Sequence, residues 1–336
     1  MNRKKTIILF TVIAAFFVAC KPNFSVNDKK QDISIAYCLL NMNETNHYVK
    51  IYKAFLTDEN AYIYAANSGL EAISYMDSIE VKMEEYLNGV LTRTIPFDTT
   101  TTIPKDSGVF HYPTQILYAA KNVKLNPDAT YLLKLKNKYT NKETYAETNM
   151  INNFFISLPN SEVDLTYSKT VNCGFTLTAN AAMYEMYQIL RYIEVDKRTG
   201  EETKHSVRRR VSSGEVNPSA PTVIKYDVNK IYKVIADHLK KNENVIRKID
   251  TYACLDYEAW IAGRAFSLYM KAYNQSSSVL NNKIDYTNFV SENNNAFGVF
   301  SSRNSAKRTY TITSASEDSL VNGQYTKHLG FVKATR

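Results

Sequence analysis

Residues able to do acid–base, nucleophilic or metal chemistry are present, but none stands at a spacing that such chemistry requires. The five histidines form no i, i+4 pair, the spacing with which a helix presents two metal ligands. No serine lies in a Gly-x-Ser-x-Gly turn, which would expose a nucleophile. Carboxylate pairs such as Glu84 with Glu85, or Asp256 with Glu258, occur in any chain of this size. We therefore predict no catalytic residue, no metal site and no cofactor.

Tyrosine is present in clear excess, with 25 among 336 residues. It joins a large apolar ring to a hydrogen-bonding hydroxyl, which suits a partly wet binding surface as well as a sheet interior. Packing within a sheet is the first interpretation, and an aromatic surface for a sugar ring or a partner protein is the second. The arginine run predicts a solvated hairpin arm or a contact for anionic lipid. The candidate binding residues are therefore Tyr187, Tyr192, Trp260, Arg208, Arg209 and Arg210.

Residues 1–19 have the pattern of an export signal. Three basic residues, Arg3, Lys4 and Lys5, precede an uncharged apolar run from Thr6 to Ala19. That run is shorter than the about 20 residues that a helix needs to cross a bilayer. A cleaved secretory segment is therefore predicted.

The apolar run ends in Phe17-Val18-Ala19-Cys20, which resembles the lipobox of bacterial lipoproteins. The resemblance implies cleavage before Cys20 and acylation of that residue, and several acyl chains anchor a protein stably where one does not. Residues 20–32 then form a polar, lipidated tether. Lys21 permits sorting to the outer membrane under the rules that such lipoproteins follow, and both the periplasmic and the surface-facing orientation stay open.

Three cysteines remain once Cys20 carries lipid: Cys38, Cys173 and Cys254. An odd number cannot pair completely within one chain, and all three lie in apolar, strand-like segments. Buried free thiols are therefore the favoured prediction. A Cys173–Cys254 disulfide stays open as the alternative, because an oxidising compartment allows it.

Residues 33–158 are predicted to form an immunoglobulin-like β-sandwich. Ile79–Tyr86 alternates apolar and polar residues at period two, as half-buried strands do. Asn88-Gly89 supplies the backbone conformations of a tight hairpin turn. Leu125–Leu135, with a proline turn ahead of Tyr131, resembles the tyrosine corner of immunoglobulin-like and fibronectin-type domains. That resemblance implies that the Tyr131 hydroxyl bonds back to the turn.

Residues 163–336 are predicted to form an α+β domain with an antiparallel sheet or partial barrel and two helices. The segments 184–195 and 203–211 predict a long hairpin, and 296–301 predicts a closing strand. Apolar residues fall on one helical face over 228–241 and again over 262–274. The whole chain is thus predicted to be mainly β.

The order of these parts resembles a large group of uncharacterised Bacteroidetes-type envelope lipoproteins with an N-terminal immunoglobulin-like domain. The likeness lies in the lipobox, the sandwich after the tether, the aromatic helix 267–274 and the Asn-rich loop that enters 297–300. The resemblance implies a place in the envelope and an accessory role beside outer-membrane receptors and transporters.

These observations predict a lipid-anchored envelope protein that acts as a non-enzymatic binding or assembly module. Its expected partners are the membrane, through the lipid on Cys20, and an outer-membrane receptor or a glycan. Nucleic acid is not expected in that compartment, despite a formal net charge of +8. Two alternatives stay open: a fimbria-like or adhesin subunit, which needs an exposed edge strand, and an envelope hydrolase with an unrecognised site.

Overall fold

The computed structural model describes residues 33–333 apart from 55–59, 61–62, 65–66, 68, 107–112, 177, 218, 250–252, 277–285 and 292–295. The predicted signal peptide 1–19, Cys20 and the tether lie outside the described residues. Within them the protein is mainly β, as predicted. No helix in this part is long and apolar enough to cross a membrane.

The first half is the predicted immunoglobulin-like β-sandwich. Strand β4 pairs with β3 and then, at Asp98–Thr100, with β5, so the sheet folds over its core at this strand. Leu40, Val49 and Leu133 are fully buried in that core. The elements are β1 (Ser34–Asn41), β2 (His47–Lys53), α1 (Leu70–Ile73), β3 (Ile79–Leu87), β4 (Val90–Thr100), β5 (Leu117–Ala120), β6 (Thr130–Asn137) and β7 (Glu143–Asn149).

Two local predictions in this half are confirmed. Asn88 and Gly89, between β3 and β4, have φ values of 51° and 79°, the left-handed conformations of a tight hairpin turn. The Tyr131 hydroxyl accepts a hydrogen bond from the Asn126 backbone N–H at 2.6 Å and donates one to Glu85 Oε2 at 2.6 Å. The tyrosine corner is therefore present, with Tyr131 fully buried.

The second half mixes strands and helices. Three strands form a small sheet in the order β12-β9-β8, and the other strands extend the large sheet. The elements are β8 (Ile156–Leu158), β9 (Thr170–Phe175), β10 (Ala181–Asp196), β11 (Glu202–Glu215), β12 (Thr222–Asp227), α2 (Asn229–His238), β13 (Val245–Ile249), β14 (Leu255–Gly263), α3 (Arg264–Ser276), β15 (Val290–Ser291), β16 (Ala296–Tyr310), α4 (Ser314–Asn322) and β17 (Phe331–Val332).

Helices α2 and α3 lie where helical periodicity predicts them, and α4 is an addition to the two predicted helices. The start of α4 is fixed by a cap, because the Thr313 side chain accepts a hydrogen bond from the Ser316 N–H at 3.2 Å. Only Ser316, Glu317 and Leu320 of α4 are buried, so its apolar pattern is too weak to predict a helix.

One large sheet runs through both halves, because β16 pairs with strands of each. Its residues 296–303 pair in parallel with β1, and residues 303–310 pair antiparallel with β14. The strand order is β15-β7-β6-β3-β4-β5-β2-β1-β16-β14-β10-β13-β17, and β11 also pairs with β10. The buried side chains form two cores that divide between Met150 and Ile151, and Phe300 of β16 belongs to the first.

Candidate functional site

The candidate site lies on the outer face of the large sheet, where β10 and β14 run side by side. Met186 and Leu190 of β10 are buried in the second core, whereas Glu185 and Tyr187 lie on the opposite, half-buried face. Trp260 of β14 is directly opposite Glu185 and therefore shares the outer face.

A cavity of about 310 Å³ opens on this face beside α3. Apolar side chains make up most of its lining, and the polar residues are two arginines and a glutamate. Apolar walls with a few polar groups are the usual composition of a ligand pocket. We name it the aromatic cavity, and its lining residues are Leu39, Met183, Tyr184, Glu185, Tyr187, Arg208, Trp260, Ile261, Ala262, Phe266, Met270 and Arg303.

Helix α3 forms one wall of the aromatic cavity. Phe266 and Met270 are four residues apart, so they lie on the same face of the helix. The helix is held on the sheet by Tyr269, whose ring packs edge-on against Tyr37 of β1 with 5.9 Å between centroids. The apolar face predicted for this segment therefore both lines the cavity and packs the helix against the sheet.

A network of charged groups surrounds Tyr187. The Arg208 guanidinium lies over its ring, with Cζ 3.4 Å from the centroid, and bonds Glu258 at 3.1 Å. The Tyr187 hydroxyl donates to Glu185 Oε2 at 2.7 Å, and Arg210 pairs with Glu185 at 2.9 Å. Burial and then the bond to Glu185 raise the pKa of Tyr187. The hydroxyl therefore stays protonated at neutral pH.

A second arginine, Arg303, lies near the Trp260 ring, and its ion pair is longer than that of Arg208. The Arg303 Cζ lies 5.5 Å from the Trp260 ring centroid. Its ion pair with Glu44 is long, at 3.8 Å, and its buried Nε has no hydrogen-bond partner among the described residues. The Arg303 side chain is nevertheless 40% exposed, so its guanidinium has other N–H donors that a further acceptor can reach.

Tyr187, Trp260 and Arg208 are thus the predicted binding residues that line the cavity, and Arg210 adjoins them through Glu185. The prediction is wrong for Tyr192 and Arg209, which lie on the core face of the same strands and are 5% and 8% exposed. Tyr192 stacks on His205, and Arg209 donates to Gln188 Oε1 at 2.7 Å. Strand alternation separates them from their neighbours, because adjacent residues point to opposite faces.

The three described cysteines are free thiols, and all three are buried. The favoured prediction is confirmed, and the alternative Cys173–Cys254 disulfide is not formed. Burial raises the pKa of the Cys173 thiol to about 12, although nearby Arg209 opposes the shift. A thiol with so high a pKa is a poor nucleophile and acts here as a small apolar side chain.

The nominated carboxylate pairs are bound by cations. Burial raises the pKa of Glu85, yet bonds from Arg93 and Tyr131 outweigh it and lower the pKa overall. Desolvation likewise raises the pKa of Asp256, but its bonds to Lys307, Thr309 and Arg191 lower it overall. A general acid needs a raised pKa, so these two residues are unsuited to that role. The described residues also hold no cluster of metal ligands.

A larger, polar cavity of about 750 Å³ lies where the two halves meet, at the start of α3. Glu147 and Asn149 of β7, Glu215 of β11 and Lys271 of α3 are among its lining residues. Lys271 forms an ion pair with Glu215, so the charges of these two lining residues compensate each other. The aromatic cavity, with its Trp260, Tyr187 and arginine groups, is the stronger candidate for binding.

Sequence reasoning missed Glu185 and Arg303 of the cavity. A signal for Glu185 existed in the period-two pattern, which places it on the same face as Tyr187. Arg303 had none, since its position next to Trp260 depends on the register in which β16 joins β14.

No protein-family model matches the chain, and no curated protein matches it. Two solved structures are similar to parts of it at 8% identity. Trypsin-activated alpha-2-macroglobulin from Escherichia coli has a TM-score of 0.17 over 71% of this chain, which spans 15% of that one. A Dscam structure concerned with isoform specificity has a TM-score of 0.15, covering 85% of this chain and 74% of that one. Likenesses at this level carry no argument about function.

Proposed function

We propose that this chain is a lipid-anchored binding module of the cell envelope, which holds a partner protein at the aromatic cavity. The carrying observation is the convergence of Trp260, Tyr187, Arg208 and Arg303 on one apolar cavity. Tryptophan, tyrosine and arginine are the residues that contribute most to binding energy at protein interfaces.

The chemistry of the cavity favours a protein ligand over a glycan. Guanidinium groups already lie over Tyr187 and near Trp260, so a sugar ring would have to compete with them for the aromatic rings. An apolar side chain instead fits against Phe266 and Met270. A neighbouring carboxylate on the partner would supply Arg303 with a closer counter-ion than Glu44 does.

Photo-crosslinking in intact cells tests this proposal. A photoreactive phenylalanine analogue at Met270, in the cavity wall, is expected to capture a discrete envelope protein. The same analogue at Val223, which is 57% exposed on β12, is the matched control. Adding Trp260→Ala and Arg303→Glu should abolish capture from position 270. Identical products from both positions, or none from position 270, would contradict the proposal.

The anchor has its own readout. Labelling with radioactive palmitate should mark the wild-type chain, while a Cys20→Ala chain should stay unlabelled. An unlabelled wild-type chain would remove the lipid from the proposal, and label on both chains would place the lipid on a residue other than Cys20. Either result would leave the cavity unaffected.

A further inference from the structure

Strand β11 is an open edge of the large sheet. It pairs with β10 over its length, and no backbone group of the described residues bonds to its other side. In an antiparallel pair, alternate residues direct N–H and C=O away from the neighbouring strand. The strand therefore presents a row of free backbone donors and acceptors.

The exposed side chains of this edge are basic at its middle. Arg208 and Arg210 have side chains 46% and 57% exposed, and Lys204 is also exposed. Glutamates stand only at the two ends, Glu202 and Glu215. Charged side chains commonly protect an edge from pairing with other strands. Basic ones protect it from neutral and basic strands, and they favour an acidic strand.

A second copy of this chain fits the edge poorly. In a symmetric antiparallel pair centred on β11, the central arginines of the two copies would face each other, and like charges directly opposite destabilise a sheet. An anionic membrane fits poorly too. A bilayer surface offers no backbone donors or acceptors that could pair with those left free by β11.

We propose that β11 is an acceptor edge for an acidic, extended segment of another envelope protein, which adds to the large sheet as one more strand. Backbone hydrogen bonds supply the affinity. Lys204, together with the guanidinium N–H groups of Arg208 and Arg210 that Glu258 and Glu185 do not occupy, selects acidic side chains. This edge adjoins the aromatic cavity, because Arg208 lines that cavity and Arg210 pairs with Glu185 of its lining. Strand addition depends on the backbone of β11, which the cavity proposal does not use, so each proposal can fail without the other.

Binding of a synthetic peptide to the detergent-extracted full chain tests the inference. The probe is a fluorescent peptide of about ten residues, a typical strand length, with alternating Glu and Thr. Two matched control peptides carry the same charges but have every second backbone nitrogen methylated, the odd-numbered residues in one peptide and the even-numbered residues in the other (the two methylated frames). We expect anisotropy to report binding of the first peptide, and binding at least about tenfold weaker in one methylated frame, because methylation removes strand donors.

Variants of the chain separate charge at the edge from charge in general. The double variant Lys204→Glu/Arg210→Glu should weaken peptide binding by at least about tenfold. Lys121→Glu/Lys142→Glu makes the same charge change at exposed positions in the first half and should have little effect. Trp260→Leu, which alters the cavity, should also leave peptide binding unchanged.

Several outcomes would overturn the inference. Equal binding of the methylated peptides in both frames would reduce it to charge attraction without strand addition. Stronger binding to phosphatidylglycerol vesicles than to the peptide, with the same response to the double variant, would make the edge a lipid contact. Self-association of the chain that the double variant abolishes would make a second copy the occupant.

Discussion

Glu85 illustrates how a residue with catalytic potential is used for stability. Its side chain is 7% exposed and is bound by Arg93 at 2.6 Å, Tyr131 at 2.6 Å and Thr92 at 2.9 Å. Burial raises its pKa, but the bonds from Arg93 and Tyr131 lower it overall. The ionised form is therefore the one that the fold stabilises. This contribution is complete above the unfolded-state pKa, about 4.3, and is lost as pH falls through the lower folded-state pKa.

We expect Glu85→Gln to lower the free energy of unfolding at neutral pH by about 1.5–3 kcal/mol, because it removes charge-assisted hydrogen bonds. The difference from wild type should shrink as pH falls below about 4.3. Denaturant unfolding between neutral pH and the acid limit measures both effects. Glu143→Gln, at an exposed position of β7, is the control and should change little. A difference that stays constant down to the acid limit would contradict the assignment.

At the scale of elements, the parallel pairing of β1 with β16 depends on Gly298. It lies opposite Ala36 and has φ of 112°, and a Cβ there would overlap the Ala36 carbonyl. We expect Gly298→Ala to destabilise the protein by about 2–3 kcal/mol or more through backbone strain and displacement of β1.

Thermal unfolding measures that effect, and Gly69→Ala is its control. Gly69 has φ of −64°, and a Cβ there would meet nothing within 4 Å. An equal loss of stability in the two variants would show that the close approach of β1 and β16 is not the cause.

The elements that sequence patterns predicted best are those with one buried face. Strand β3, the Asn88-Gly89 turn and helix α3 follow from periodicity and turn chemistry alone. Strand β16 extends beyond the predicted 296–301 to Tyr310. The pattern did not predict this extension, because most of the later residues are polar. The arginine run shows the same limit. Alternation separates Arg209 from its neighbours, but sequence does not say which face of the hairpin meets the core.

At the scale of the whole molecule, β16 joins the two domains that the sequence predicts. Its Phe300 completes the first core, and its later residues pair with β14 beside Trp260. Two domains that share a central strand cannot separate without breaking the ladder on one side of it. We therefore expect both halves to unfold together in one cooperative transition.

Trp260 allows a direct test, because it is the single tryptophan and lies in the second half. Leu133→Ala removes a fully buried side chain from the first core and should cost about 2–5 kcal/mol. If the halves are coupled, the denaturant midpoint reported by Trp260 fluorescence must fall with it, although Leu133 belongs to the other core. Leu91→Ala, at a position 48% exposed on β4, should leave the midpoint unchanged. The contrary result is a Trp260 midpoint that Leu133→Ala leaves unchanged, while circular dichroism shows strand structure lost at a lower denaturant concentration. It would mean that β16 connects two units that unfold independently.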